Sequence, residues 1–140
     1  MKKKHLLIEY DYDFTLLALV CSLRGYKLAW YLNQLLMVRL IKEEDMELKF
    51  TNKAPLLIAS YSFATEHTEL RLIKNRSCHE EEAGFLLPEL KQFDYLLMLK
   101  GEGDYVDRDS LPEILQQIPG LQYLKTIELS SLKSKENLIF

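Results

Sequence analysis

A strand-length run whose two alternating sets are both apolar must be covered on both faces, and Tyr95–Leu99, YLLML, is such a run. Leu96 and Met98 fall on one face, and Leu97 and Leu99 on the other. A one-residue slip would exchange those faces, so the strand needs a firm start. Phe14–Cys21, FTLLALVC, is a second near-continuous apolar run of strand length. Two such runs predict a sheet whose central strands are buried.

Each run opens a strand-helix-strand rhythm. After Phe14–Cys21 and a turn at Gly25, residues Leu28, Leu32, Leu35 and Leu36 recur at i, i+4, i+7 and i+8, one stripe of a helix. VRLIK then reads as a strand, and MELKF, Met46–Phe50, alternates apolar and polar. After Phe93–Leu99 comes an acidic loop, Gly101–Asp109. Ser110 and Glu113 have capping-box spacing, and Leu111, Ile114, Leu115 and Ile118 form a short helical stripe. Pro119-Gly120 stops it, and LQYLKTIEL reads as a strand with Leu121, Tyr123, Ile127 and Leu129 on one face. Between the halves, PLLIASYSF and TELRLIKN flank ATEHT, a hairpin loop. The expected fold is α+β: one domain over residues 1–140, an antiparallel-dominated sheet with two main helices, built from two β-α-β units and partly ferredoxin-like. Both helices are expected on one sheet face. The half-polar strands MELKF and LQYLKTIEL predict that the other face is partly wet.

Composition removes several function classes. The chain has 140 residues and a formal net charge of -3, so no broad basic field tracks a phosphate backbone, and nucleic-acid binding is not expected. The one basic cluster, Lys2–Lys4, reads as a solvated terminus. The longest apolar run, Leu16–Cys21, is far below the roughly 20 residues of a membrane span. Acids follow Leu6–Ile8 at once, unlike a signal peptide. Cys21 and Cys78 make no disulfide framework, and Cys21 reads as a small buried hydrophobe. A reducing cytoplasm is expected, with no membrane anchor.

No catalytic motif emerges. CHEEE, Cys78–Glu82, lacks the second histidine of a zincin motif, because Ala83 stands there, and it reads as a solvated loop with no metal. GEGD, Gly101–Asp104, lacks a third glycine, and its acids would repel phosphate. Ser60 and Ser62 lie on predicted strands without a nucleophile elbow. No catalytic residue and no cofactor is expected.

Two features call for another explanation. Trp30 lies about 160° from Leu28 on the helical wheel, beside Asn33 and Gln34, so the core does not cover it. Cover by the terminal NLIF and use as a partner or ligand surface are both open; tryptophan is enriched at interaction hot spots. The second feature is LLPELKQFDYLLMLK. Pro88 restricts the approach to the strand. Glu89 is placed to cap the turn Leu90–Gln92, and Asp94 to bind backbone N–H groups locally. The alternative reading is a recognition pocket made by Glu89, Asp94 and Tyr95.

Leu87-Pro88-Glu89, three residues, then Phe93-Asp94-Tyr95 resembles the pattern that names the IPExxxVDY family of uncharacterised bacterial proteins, with Leu87 for Ile and Phe93 for Val. Tyr26, Leu28, Trp30 and Leu32-Asn33 are similar to that family's N-terminal region, and LKSKENLIF to its ending. The resemblance implies a small soluble bacterial protein and no particular activity. The functional expectation is a non-enzymatic binding or adaptor domain acting through protein contacts, with a protein partner or a second copy. The alternative is a small-ligand regulatory domain. Trp30, Asn33, Glu89, Asp94 and Tyr95 are the candidate binding residues.

Overall fold

The computed structural model describes residues 14–50, 53–77, 84–101 and 108–138. Its elements are β1 (Phe14–Cys21), α1 (Gly25–Leu36), β2 (Ile41–Lys42), β3 (Met46–Phe50), β4 (Lys53–Ile58), β5 (Ser60–Ala64), β6 (Thr68–Lys74), β7 (Tyr95–Gly101), α2 (Leu111–Leu115) and β8 (Leu121–Thr126). The main sheet has the order β2-β5-β6-β7-β1-β8, and β3-β4 form a separate hairpin. Every pairing among the described strands is antiparallel.

These pairings set the strand directions. β1 runs against both β7 and β8, so β7 and β8 are parallel to each other with β1 between them. β6 runs against β7, so β1 and β6 are parallel with β7 between them. With α1 after β1 and α2 after β7, the central strands β8-β1-β7-β6 have the split β-α-β connectivity of a ferredoxin-like plan. β2, the β3-β4 hairpin and β5 are inserted between α1 and β6.

The run that is apolar on both sides lies where it must. β7 sits between β6 and β1, and Leu96, Leu97, Met98 and Leu99 are all buried. Tyr95, Leu97 and Leu99 share one cluster with Leu28, Leu32 and Leu36 of α1 and Leu111 and Leu115 of α2, so both helices cover one sheet face. Leu96 and Met98 join the second cluster on the opposite face, with Leu16, Ala18 and Ile73.

That opposite face is wet only in part, at Glu69 and Arg71 of β6. Its centre is covered by Leu56 and Ile58 of β4, by Leu86 and Leu87, and by Ile127, Leu132 and Leu138. The cover was not expected, because MELKF is not a strand of the main sheet. It pairs with β4, and the hairpin lies over the face it was expected to leave open. PLLIASYSF likewise divides at Ala59, giving β4 to the hairpin and β5 to the main sheet. LQYLKTIEL ends as a strand at Thr126, and its expected alternation breaks at a bulge. Tyr123 pairs with Val20 but Leu121 pairs with Cys21, so Gln122 is the extra residue that re-phases the strand. Leu121 and Leu124 therefore pack on the helical face, while Tyr123 stacks on Phe93 at 6.0 Å. Of VRLIK, only Ile41–Lys42 pairs as a strand.

The short α2 also starts differently from expectation. Ser110 makes no side-chain cap bond; Pro112 in the first turn presets the helical φ instead. The stop after it does follow Pro119-Gly120: Gly120 has φ +90, where a β-carbon is strained, and its carbonyl accepts from Ser22 N–H at 3.2 Å.

Candidate functional site

The chain from β6 to β7 is organised by a residue the motifs did not point to. Asn75, immediately after β6, is 0% exposed. Its side-chain amide donates to the Leu90 carbonyl at 2.9 Å and reaches those of Leu87 and Phe93 at 3.4 Å. Its Oδ1 accepts from Leu87 N–H at 2.8 Å. Its backbone joins in: Leu86 N–H donates to the Asn75 carbonyl at 2.8 Å, and Asn75 N–H to the Asp94 carbonyl at 3.0 Å. Buried backbone groups without partners are costly, and one asparagine satisfies this irregular turn from inside.

Around that hub the signature residues bind distant backbone. Pro88–Leu90 is a short 3-10 turn whose N–H groups are already served, Leu90 by the Leu87 carbonyl and Lys91 by that of Pro88. The Glu89 carboxylate takes its own N–H rather than those of Leu90 and Lys91, and it also reaches out of the turn. Its Oε2 accepts from Lys133 N–H and Ser134 N–H, each at 2.7 Å, and ties this corner to the C-terminal segment. Partial burial works to raise the Glu89 pKa, but hydrogen bonds from Ser134, its own N–H and Lys133 outweigh it and hold the carboxyl below its usual range. Asn137 closes the same junction, donating to the Leu86 carbonyl at 2.8 Å.

Asp94 was expected to bind locally. It reaches across the sheet instead: Cys21 N–H donates to Oδ2 at 2.9 Å, at the β1 bulge, while Asp94 N–H donates to the Leu19 carbonyl at 2.8 Å. The carboxylate stands in for the ladder acceptor that Cys21 lacks there. Tyr95 is 3% exposed, and its hydroxyl donates to the Leu23 carbonyl at 2.7 Å, fixing the turn into α1. Burial, with smaller contributions from Cys21, Asp94 and Tyr61, pushes its pKa up to about 12, so it stays a neutral donor. Glu89, Asp94 and Tyr95 thus do not converge on a common cavity with their polar atoms; each is engaged by backbone.

Asn33 is also structural in its contacts. Its Oδ1 accepts from Leu40 N–H at 2.8 Å, and its own carbonyl accepts from Met37 and Val38 N–H, which closes the C-terminal turn of α1. Trp30 differs. It is 53% exposed, outside both clusters, with Tyr31 edge-on at 5.0 Å. The terminal segment does not cover it as far as Leu138, which is buried under the opposite sheet face. Glu89 and Asn137 hold the segment on that side. Along the same side of α1, Tyr26 is 65% exposed, and Met37, the left-handed residue that ends the helix, is 76% exposed.

Sequence reading missed a cleft of about 420 Å3 at the start of α1. Arg24 and Tyr26 contribute from that end, Tyr61 from β5, Lys74 and Arg76 from the end of β6, and Tyr95 from β7. These residues are far apart in the chain, and only the strand order unites them. CHEEE lies outside the described residues, as does most of the acidic loop after Gly101. Among the described residues no group of three or more His, Cys, Asp or Glu could hold a metal ion, and no helix is long and apolar enough to cross a membrane. No protein-family model, curated protein or solved structure matches the chain.

Proposed function

We propose that this protein is a non-enzymatic binding domain that acts through protein contacts on the outward side of α1. The observation that carries the reading is the exposure of Trp30, in line with exposed Tyr26 and Met37, on a helix whose other side is fully packed. Aromatic and thioether side chains suit protein interfaces because they bury large area with few or adaptable torsions. The net charge of -3 favours a polypeptide partner, another protein or a second copy, over a nucleic acid. A bacterial cytoplasm is part of the same proposal. It draws on the resemblance to the IPExxxVDY family and on Cys21, a free buried thiol whose pKa burial raises despite a hydrogen bond with Leu23.

The test is Trp30→Ala in the otherwise intact chain, with affinity capture from the native cell and sedimentation for self-association. The variant should keep the wild-type melting temperature and lose one defined partner, or lose self-association. Equal capture and equal sedimentation by the two proteins would overturn the reading. The lone tryptophan also reports directly: its fluorescence should be readily quenched by iodide in the free protein and protected in the complex.

A further inference from the structure

The cleft at the start of α1 concentrates positive charge in an acidic protein. Arg24, Lys74 and Arg76 line it, with no carboxylate among the described lining residues. Among the described residues Arg24 and Lys74 have no ion-pair partner, and Arg76 lies over the Phe85 ring at 5.5 Å, which leaves its guanidinium edge available. The nearest signature carboxylate, Asp94, is turned to Cys21 N–H.

The rest of the lining fits the same charge. Tyr61 is half-buried, and burial raises its pKa against the opposing pull of Lys42, so its hydroxyl is a neutral hydrogen-bond donor. Tyr26 stands exposed at the mouth. Gly25 lets the helix end approach Tyr61: a β-carbon there would lie 3.2 Å from the ring. The twelve-residue α1 has no acidic side chain in its first turn and no side-chain cap, so its positive end adds to the three cations. The volume is within the range of small-molecule sites.

We propose that this cleft binds a small phosphorylated molecule, with its phosphate groups held between Arg24, Lys74 and Arg76. Three cations converging on one cleft select a ligand of two or more negative charges over a monocarboxylate, and guanidinium groups match phosphate oxygens in bidentate geometry. This extends the small-ligand alternative and does not rest on protein contacts at Trp30, although Tyr26 borders both surfaces.

The experiment is calorimetric titration of the full chain with pyrophosphate, with acetate at matched ionic strength as the comparison. Amide shifts are followed in the same samples. Saturable one-to-one binding is expected, with shifts concentrated at Gly25, Tyr26 and Lys74–Ser77. Arg24→Gln and Arg76→Gln, both at exposed positions, should each weaken binding about tenfold or more. Lys125→Gln, on the far edge strand β8, and Trp30→Ala should leave it unchanged. No saturation at millimolar pyrophosphate, equal binding of acetate, or equal weakening by Lys125→Gln would overturn the proposal. Loss of pyrophosphate binding in Arg76→Gln with partner capture intact would separate this site from the docking face.

Discussion

Two polar regions lie at the end of β6, and they treat their charges in opposite ways. In the turn from Asn75 to Asp94, the polar side chains are bound to backbone: Asn75 to Leu87 and Leu90, and, of the residues that resemble a signature, Glu89 to Lys133 and Ser134 and Asp94 to Cys21. In the cleft beside it, Arg24 and Lys74 have no ion-pair partner among the described residues. Groups bound to backbone have their chemistry committed to the fold. Cations around a cavity are still available to a ligand. A motif that stands out in a sequence can therefore be architectural, while the residues beside it carry the binding capacity.

The largest effect expected from breaking this contrast is at Asn75. Asn75→Ala removes both donor and acceptor from buried backbone, and each stranded group costs roughly 1–3 kcal/mol. The total loss should be about 3–5 kcal/mol, among the larger single-site effects, read by equilibrium urea unfolding. Asp94→Asn keeps an acceptor for Cys21 N–H but loses its charge, and should cost about 0.5–2 kcal/mol by the same measurement. Partner capture and pyrophosphate binding per folded molecule should be unchanged. Capture or binding lost at full stability would make Asp94 part of a site and collapse the distinction.

Glu89 sharpens the comparison through pH. Its folded pKa is lowered, so its contribution is complete above the unfolded glutamate value of about 4.3 and is lost as pH falls through the folded value. Hydrogen exchange at the Lys133 and Ser134 amides, corrected for intrinsic rates, should lose protection over that acidic interval. In Glu89→Gln the acid-dependent step should vanish. A step that persists there would assign the effect to another carboxyl.

The parts of the fold that were legible in the sequence are those in which local pattern and burial coincide. Tyr95–Leu99 is central because it is apolar on both alternating sets, and α1 buries Leu28, Leu32 and Leu36 because its stripe is narrow and regular. Trp30 lies off that stripe and is outside the core for the same reason. The layer over the second sheet face was not legible, because an alternating strand such as MELKF has the same pattern whether it joins the main sheet or a separate hairpin. Partner choice is a tertiary property. The site residues divide likewise. The polar character of Glu89 and Asp94 was evident, but their partners lie 44 or more positions away in the chain. Asn75 gave no signal beyond one amide at a strand end, and the cleft exists only because β5, β6, β7 and the start of α1 are neighbours in space.

The most direct test of the contrast is equilibrium urea unfolding of Asn75→Ala and Arg76→Gln against the parent chain. These positions are adjacent in sequence, one buried in the backbone-binding turn and the other exposed at the cleft. The account predicts that Asn75→Ala loses about 3–5 kcal/mol. Arg76→Gln should stay within about 0.5 kcal/mol of the parent, as a surface substitution does. Comparable losses in both variants, or a larger loss in Arg76→Gln, would contradict the division between a turn that holds the fold and a cleft that is free to bind.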